Sequence, residues 1–549
     1  MSCERSTKHG IVMWMSGCSG YFECHGRKQE VEESPGNIRL RVTLTFLAIM
    51  NRLVPYLLFS SFCILCCPAA VFSAQPSSVD ASNVLFLISD DMNCRLGCYG
   101  DPIAKTPNLD RLASMGVKFD RAYCQQPLCN CTRSSVLSGK YPTTTGVLDN
   151  NTWLVMKDGE KILPRYFEQH GYAAAEFGKI WHGANNGEPR SAAQPAAKGK
   201  GKGKGRAVAG WFTPDQRAEQ QRTQPDYWET VHSPYRNNPP DPTKYAWANE
   251  FGPLTDDKPE ADTVIADQAV AQLKAFAEQK KPFFLSVGFH KPHVPLKCPK
   301  EFFDLYDAAS LPLPPDFANE PTGPNDTPPD ELRQNIDLFT ARRFSEDEAR
   351  AALQAYYACV SYMDAQVGRV LDALEQNGLR DNTIIVFWGD HGWHLSDKGM
   401  WAKGTLFETS ARGPLIIADP RQKTAGLPSA RTVEYVSMFP TLVELCGIAK
   451  PGWLEGESLV PLLKNPQAEW NHPAFTVQPR HWFIGRSLRN ERWRYTEWDE
   501  GRRGNELYDH DNDPHEMHNL AKDPAQKEIV AQFQQQLRDS RVGQSMRRE

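Results

Sequence analysis

Short runs of apolar and β-branched residues alternate along the chain with longer segments of helical periodicity. The strand-like runs lie at residues 84–89, 173–181, 282–289, 383–389 and 415–418. Helical patterns lie between them, for example at 261–279 and 346–378. Strands that are apolar on both faces and alternate with helices are typical of a mostly parallel sheet covered on both sides. The pattern predicts an α/β fold whose ligand site lies at the carboxyl ends of the strands.

The pattern changes after about Gly452, where polar and aromatic strands replace the buried ones. Two short strands, a turn-rich segment and a final helix are predicted here, the first three at residues 481–490, 492–498 and 507–514. We therefore predict a catalytic domain at residues 75–452 and a smaller antiparallel C-terminal subdomain at 453–549.

The N-terminal part contains one long uncharged run, from Val54 to Phe72, which follows Arg52 and is succeeded by small residues. This predicts a secretory signal peptide at residues 50–74, with a membrane anchor as the alternative because the run approaches a spanning length. Residues 1–49 are interpreted as an upstream extension of doubtful reality. We expect a secreted or periplasmic protein with no stable membrane partner.

Composition and charge narrow the class of protein further. The chain has 549 residues, with 62 Lys and Arg against 67 Asp and Glu, for a formal net charge of −5. This balance excludes a protein that binds nucleic acid through overall positive charge. A low-complexity Lys-Gly segment at about 190–210 carries five positive charges between Lys198 and Arg206. We interpret it as a flexible insertion rather than a polyanion-binding arm.

Cysteines are numerous, 14 in all, of which eight follow the predicted signal peptide. Secretion would permit disulfides, but no spacing selects a pairing. The pairs Cys94/Cys98 and Cys129/Cys131 have zinc-like spacing, yet the accompanying histidine spacing is missing. Disulfides therefore stay open at this level, and a zinc site is not favoured.

Acidic residues follow two of the predicted strands. Asp90 and Asp91 end the run at 84–89, and Asp390 with His391 ends the run at 383–389. Adjacent carboxylates are costly unless a cation or hydrogen-bond donors face them. Three carboxylates and an imidazole at one edge of a sheet suit Ca²⁺ or Mg²⁺, with Zn²⁺ less favoured.

Cys129 is the candidate nucleophile. We expect a helix from Thr132 onward, with the Thr132 hydroxyl available as its cap. Cys129 would then lie just ahead of a helix N-terminus, where the helix dipole favours negative charge and reactive cysteines are often placed. From composition alone, a structural cysteine is the competing interpretation.

The segment from Cys129 to Arg133, followed by Ser-Ser-Val-Leu-Ser-Gly, resembles the C-x-P-S-R-x-x-x-L-T-G signature of the formylglycine-dependent type I sulfatases. The resemblance is greatest to the branch that contains iduronate 2-sulfatase. It extends over about residues 82–522, and further matching segments lie in order around Asp90-Asp91, 177–183, 287–295, 390–403 and 506–520. Cys131 and Thr132 stand where the family has Pro or Ala and then Ser.

This resemblance implies an alkaline-phosphatase-like α/β fold and a set of functional residues. It implies conversion of Cys129 to formylglycine by a maturation enzyme. One Ca²⁺ ion would be bound by Asp90, Asp91, the modified Cys129, Asp390 and His391. Arg133 would orient the formylglycine diol, and Lys179 and Lys403 would hold sulfate oxygens. His293 would protonate the leaving sugar oxygen, His182 would take the second diol proton, and His290 would support them from outside the reacting groups.

The implied activity is hydrolysis of sulfate esters on a sulfated glycan. The loop from Trp393 to Gly399 departs from the L-G-E-H-G wording common in the family, which raises the possibility of a different sugar. Two alternatives are a phosphate or phosphonate ester hydrolase of the same superfamily and a catalytically silent glycan-binding protein. In the silent protein, Cys129 would stay a thiol or form a disulfide with Cys131.

Overall fold

The computed structural model describes residues 82–182, 190–191, 251–255, 260–319, 321–324, 326–332, 344–480, 483–540 and 542. The predicted extension, the signal peptide and the Lys-Gly segment at 192–210 lie outside these residues and stay predictions. Within the described ranges, none of the helices combines the length and the apolar character needed to cross a membrane.

A seven-stranded sheet forms the centre of the fold. Its strands are β1 Asn83–Asp90, β2 Val117–Tyr123, β3 Ala173–Gly178, β4 Phe283–Pro292, β5 Thr383–Gly389, β6 Leu415–Ala418 and β7 Pro428–Glu434. Their order is β7-β2-β6-β5-β1-β4-β3. All neighbours are parallel except β6, which is antiparallel to β2 and β5. The predicted mostly parallel sheet is confirmed.

Helices cover both faces of this sheet. Strands such as β1 are therefore buried along their whole length. The principal helices are α1 Pro107–Met115, α2 Cys129–Ser138, α3 Leu163–Gln169, α4 Ala261–Gln279, α5 Glu346–Gln376, α6 Met438–Leu445 and α7 Lys527–Asp539. Leu85 and Leu87 of β1 pack in the core that contains α4 and α5, whereas Phe86 packs on the opposite side with α3 and α6. A capping box formed by Ser345 and Glu348 begins α5.

Shorter elements connect these parts. The short helices are Pro142–Thr145, Lys300–Phe303, Glu408–Ala411 and Val460–Lys464. The short paired strands are Val155–Met156 with Arg190–Ser191, Phe251–Pro253 with Leu296–Cys298, and His394–Leu395 with Trp401–Ala402.

One predicted strand ends earlier than its sequence suggests. The apolar run at 173–181 predicts a longer strand, but β3 ends at Gly178, which has a φ of 75°. A side chain at this glycine would meet the carbonyl oxygen of Gly288 at 2.1 Å. The left-handed turn and the close approach both require glycine, and they direct Lys179 out of the sheet toward its carboxyl edge.

The C-terminal subdomain is built on a four-stranded antiparallel sheet. Its strands, in order, are β8 Ala474–Arg480, β9 Phe483–Arg489, β10 Trp493–Trp498 and β11 Asn505–Asp509. Helix α7 packs on this sheet through Phe533 and Leu537. The predicted antiparallel sheet is confirmed, although residues 507–509 of the predicted turn belong to β11. The boundary at 452 stays a prediction.

Two buried carboxyl groups lie close together beside this sheet. Glu506 is on β11, and Glu331 accepts a hydrogen bond from the backbone N–H of Leu406. Burial raises the pKa of Glu331 from its ordinary 4.5 to about 7, although Arg480 opposes the rise. Burial likewise raises the pKa of Glu506 well above 4.5, and the Glu331 carboxylate adds to that rise. At neutral pH the folded chain therefore holds protons that the unfolded chain has released.

We expect the stability of the chain to fall as the pH rises from about 5 to about 8, by roughly 3 kcal/mol from Glu331, with a further loss from Glu506. A carboxyl group whose pKa is raised in the folded state stabilises the fold fully below pH 4.5. This stabilisation is lost as the pH rises through about 7. Glu506→Gln removes one titrating group, so its thermal unfolding temperature should depend less on pH. Exposed Glu500→Gln is the matched control, and equal slopes in the two variants would contradict the assignment.

Candidate active site

The ends of β1 and β5 place four predicted residues next to each other. These strands are parallel neighbours in the sheet, with Ser89 beside Gly389, so the residues that follow them emerge at one edge. The backbone N–H of Asp390 donates to the carbonyl of Ser89 at 3.1 Å. The backbone N–H of Asp91 donates to Oδ1 of Asp390 at 3.0 Å. These two hydrogen bonds therefore join Asp390 to the backbone at the end of β1.

The acidic residues form a compact buried cluster with Cys129 and two histidines. One atom each from Asp90, Cys129, Asp390 and His391 lie within 4.8 Å of one another, and Asp91, Cys129 and His293 form an overlapping group. Nδ1 of His391 contacts the carbonyl of Gly392 at 2.9 Å. A carbonyl only accepts hydrogen bonds, so Nδ1 carries the proton and the lone pair of Nε2 faces the cluster.

This donor set fits a hard divalent cation. Oδ1 of Asp90 and Oδ2 of Asp91 are buried and accept no hydrogen bond from the described residues. Nε2 of His391 lies 3.4 Å from Oδ1 of Asp91 and 3.5 Å from Oδ1 of Asp390. Oxygen-rich sites with one imidazole suit Ca²⁺ or Mg²⁺ better than the sulfur and nitrogen sites of structural zinc.

Cys129 is the first residue of α2, three residues earlier than the sequence predicts. Leu128 precedes the helix in extended conformation and provides no side-chain cap. The Thr132 hydroxyl does not cap the helix either, because it donates to the carbonyl of Gln126 at 2.5 Å. The Cys129 thiol is fully buried, 3.5 Å from Nε2 of His391 and 3.9 Å from Oδ1 of Asp91.

Cys131 takes no part in this cluster. Residues two apart on a helix do not share a face, and the Cys131 side chain packs with Leu128, Val147 and Leu154 in a separate apolar group. Both cysteines are free thiols. The folded chain therefore does not contain the disulfide between Cys129 and Cys131 that the silent alternative allows.

Three cationic side chains neutralise the carboxylates. Nζ of Lys403 lies 3.0 Å from the Cys129 sulfur and also contacts the Asp91 carboxylate. Lys179 contacts the Asp90 carboxylate. Nε of Arg133 donates to Oδ2 of Asp390 at 3.0 Å, and its Nη2 lies 3.3 Å from Oδ1 of Asp90. These three are the basic site residues that the resemblance to the sulfatases implies.

Burial and charge act in opposite directions on these groups. Burial raises the pKa of Asp90, but Lys179, His293 and Arg133 outweigh it and hold that pKa well below its ordinary value. Burial raises the pKa of Asp91 to about 6, although Lys403 opposes the rise. Burial, together with the Asp90 carboxylate, raises the pKa of the Cys129 thiol well above its usual range. An unmodified Cys129 is therefore a protonated thiol at neutral pH.

The three other predicted histidines, besides His391, occupy different positions. Nδ1 of His293 donates to the carbonyl of Val294 at 2.7 Å, and its Nε2 lies 3.7 Å from Oδ2 of Asp91. His182 is half-buried, and burial followed by the charge of Lys179 lowers its pKa to about 4. Nδ1 of His290 lies instead 3.3 Å from Oδ1 of Asp262, and its supporting role stays a prediction.

The loop that departs from the family wording is anchored in the protein. Lys398 is buried, and its Nζ contacts Oδ2 of Asp316 at 3.0 Å and the carbonyl of His515 at 2.5 Å. Its side chain is therefore occupied by protein contacts rather than open to a ligand.

Sequence reasoning missed two residues that contact this edge. The hydroxyl of Tyr356 donates to the carbonyl of Asp91 at 2.9 Å. Nδ2 of Asn93 donates to the carbonyl of Trp393 at 3.0 Å. The position of Asn93, three residues after a strand-end aspartate, was an available signal. Tyr356 gave none, because it lies in the regular apolar pattern of α5.

Comparison with known proteins agrees with the geometry. The family model described as Sulfatase matches residues 82–448, and the model described as N-sulphoglucosamine sulphohydrolase, C-terminal, matches residues 389–543. A sulfatase of Formosa agariphila is 33% identical, over 85% of this chain and 88% of that protein. Iduronate 2-sulfatase of Homo sapiens is 33% identical, over 68% of this chain and 70% of that protein.

A solved structure shares the fold at lower identity. The phosphonate monoester hydrolase of Agrobacterium radiobacter superposes with a TM-score of 0.64 at 22% identity, over 83% of this chain and 94% of that chain. The sulfatase match covers most of the chain and includes every residue of the strand-end cluster. The chain thus belongs to the sulfatase family of hydrolases.

Proposed function

We propose that this protein removes sulfate from a sulfated carbohydrate through a formylglycine formed from Cys129, with Ca²⁺ as its metal. The observation that carries the proposal is the position of the Cys129 sulfur. It lies at the start of a helix, 3.0 Å from the Lys403 ammonium and 3.5 Å from His391. A nucleophile at residue 129 would lie next to the Lys403 ammonium, which can bind sulfate oxygens, and next to the residues that can bind a metal.

Five residues would hold the cation: Asp90, Asp91, the modified Cys129, Asp390 and His391. When bound there, Ca²⁺ would polarise sulfate oxygens and lower the pKa of the nucleophile. The aldehyde of formylglycine, once hydrated, supplies a hydroxyl for attack on sulfur and a second hydroxyl for release. Oδ1 of Asp90 and Oδ2 of Asp91, which are buried and accept no hydrogen bond from the described residues, support this assignment.

The resemblance to the sulfatases assigns roles to the remaining site residues, and their contacts support these roles. Lys179 and Lys403 border the cluster, and we assign them to hold sulfate oxygens where negative charge develops. Arg133 is fixed by Asp390 and Asp90, so its charge stays beside residue 129. We assign His293 to protonate the leaving sugar oxygen and His182 to accept the proton that accompanies sulfate release.

The substrate class rests on the relatives. Human iduronate 2-sulfatase, named for the sulfate ester of a sugar acid, is 33% identical to this chain. We therefore propose a sulfated glycan as substrate and a formylglycine-generating enzyme as maturation partner. The proposal includes secretion after cleavage of the predicted signal peptide, because the uncharged run from Val54 to Phe72 is typical of such a peptide.

The test has two parts, carried out on protein from a host that can form formylglycine. Mass spectrometry of the peptide that contains Cys129 should show the loss of mass that accompanies conversion of the thiol to an aldehyde. Purified protein should then hydrolyse an aryl sulfate faster than the matched aryl phosphate and aryl phosphonate. Faster phosphonate or phosphate turnover would favour the ester hydrolase alternative, and an unmodified thiol without turnover would favour the silent protein.

A further inference from the structure

Asp91 adopts a backbone conformation that is uncommon for a residue with a side chain. Its φ is 59°, in the left-handed region, which residues other than glycine seldom occupy, although Asp enters it more often than most. This conformation turns the carboxylate back toward the cluster, so that Oδ1 lies 3.4 Å from Nε2 of His391. Because this conformation is uncommon, the groups that contact the turn help to maintain it.

The hydroxyl of Tyr356 contacts the backbone on both sides of this turn. It donates to the carbonyl of Asp91 at 2.9 Å and accepts from the backbone N–H of Asn93 at 3.1 Å. Tyr356 is fully buried on α5, which packs against the sheet and is therefore held rigidly. One hydroxyl thus fixes both peptide groups that determine the direction of the turn after β1.

Asn93 extends this connection to the other half of the site. Its Nδ2 donates to the carbonyl of Trp393 at 3.0 Å, and Trp393 follows the Asp390-His391 pair in sequence. The indole ring of Trp393 lies under the Lys403 ammonium, 5.3 Å from the ring centroid. Tyr356, Asn93 and Trp393 therefore link the backbone that follows β1 to the loop that follows β5.

We propose that Tyr356 is a positioning residue of the metal site, whose hydroxyl holds the Asp91 carboxylate in the orientation that binds the cation. This inference rests on the metal site of the proposed function and adds a residue that contacts neither metal nor substrate. Without the hydroxyl, the Asp91 carbonyl and the Asn93 N–H lose their partner, and the turn can relax from φ near 59°. The cation would then bind with one misdirected ligand.

The adjacent residue provides a matched control. Tyr357 is also buried on α5, and its hydroxyl also makes two hydrogen bonds, from Nη1 of Arg95 at 3.0 Å and to Oδ2 of Asp101 at 2.9 Å. Neither partner belongs to the cluster. Tyr356→Phe and Tyr357→Phe therefore each remove one buried hydroxyl with two partners from the same helix, and only the first hydroxyl contacts Asp91.

Ca²⁺ binding to the full chain, measured by calorimetric titration with CaCl₂, tests the inference without any activity assay. Tyr356→Phe should bind Ca²⁺ about tenfold more weakly than wild type, the usual scale for groups that orient metal ligands. Tyr357→Phe should stay within about twofold of wild type, although both variants should lose similar thermal stability in EDTA. A purely structural role for Tyr356 predicts the same affinity change in both variants.

The possible failures are distinguishable. Equal Ca²⁺ affinity in wild type and Tyr356→Phe would overturn this inference and leave the metal assignment intact. Equal weakening in both variants would also overturn it, since the effect would then come from general loss of packing. Absence of Ca²⁺ binding by the wild-type chain would overturn the metal assignment of the proposed function together with the inference.

Discussion

Cys129→Ser is expected to abolish multiple turnover of a sulfate ester, with kcat reduced by at least about a thousandfold. Serine places a hydroxyl where the modified residue would present one, next to Lys403 and His391. A single hydroxyl can accept sulfate but cannot reform an aldehyde to expel it. The variant should therefore stop at a covalent sulfate ester on residue 129.

Intact mass spectrometry after incubation with an aryl sulfate provides the measurement. The variant should gain the mass of one SO₃ group, and a stoichiometric release of the phenol should accompany that gain. Cys446→Ser is the control, because this cysteine lies away from the cluster, where its thiol contacts the carbonyl of Ser82 at 3.8 Å. Sustained turnover by Cys129→Ser would show that residue 129 is not the nucleophile.

The sequence was sufficient to predict the elements that have a strong apolar or amphipathic pattern. The bounds of β5, β6 and α4 match their predictions, because each is an apolar or amphipathic run that ends at polar residues. Strands β2 and β7 were not predicted. They lie at one side of the sheet and contain alternating polar residues such as Lys118, Asp120 and Arg431, which leave too weak an apolar pattern.

Some features of the site could likewise be predicted from the sequence, and others could not. Asp90-Asp91 and Asp390-His391 each follow a buried parallel strand, and a parallel sheet brings the ends of neighbouring strands together. The start of α2 was missed because Leu128 provides no capping side chain that a sequence pattern can reveal. Tyr356 was missed because its role depends on a contact across 265 residues of sequence. Local patterns contain no information about which hydroxyl of a buried helix reaches a distant carbonyl.

Asp390→Asn is expected to reduce activity at least about a hundredfold and to weaken Ca²⁺ binding by about ten- to a hundredfold. The Asp390 carboxylate is fully buried. Its Oδ1 accepts from the Asp91 N–H and its Oδ2 from Nε of Arg133. An amide keeps one oxygen acceptor but loses the negative charge. The metal and Arg133 would therefore each lose the electrostatic attraction that this carboxylate provides.

The cost in folding should be smaller than the usual penalty for breaking a buried ion pair, about 3–5 kcal/mol, because Arg133 retains Asp90 at 3.3 Å. Loss of one of three adjacent carboxylates also relieves repulsion in the metal-free chain. Thermal unfolding in EDTA should therefore change little, whereas the stabilisation that Ca²⁺ gives to wild type should be lost. Asp372→Asn removes the same charge from an exposed pair with Arg111 and should preserve that stabilisation. Full activity and unchanged Ca²⁺ stabilisation in Asp390→Asn would exclude Asp390 as a metal ligand.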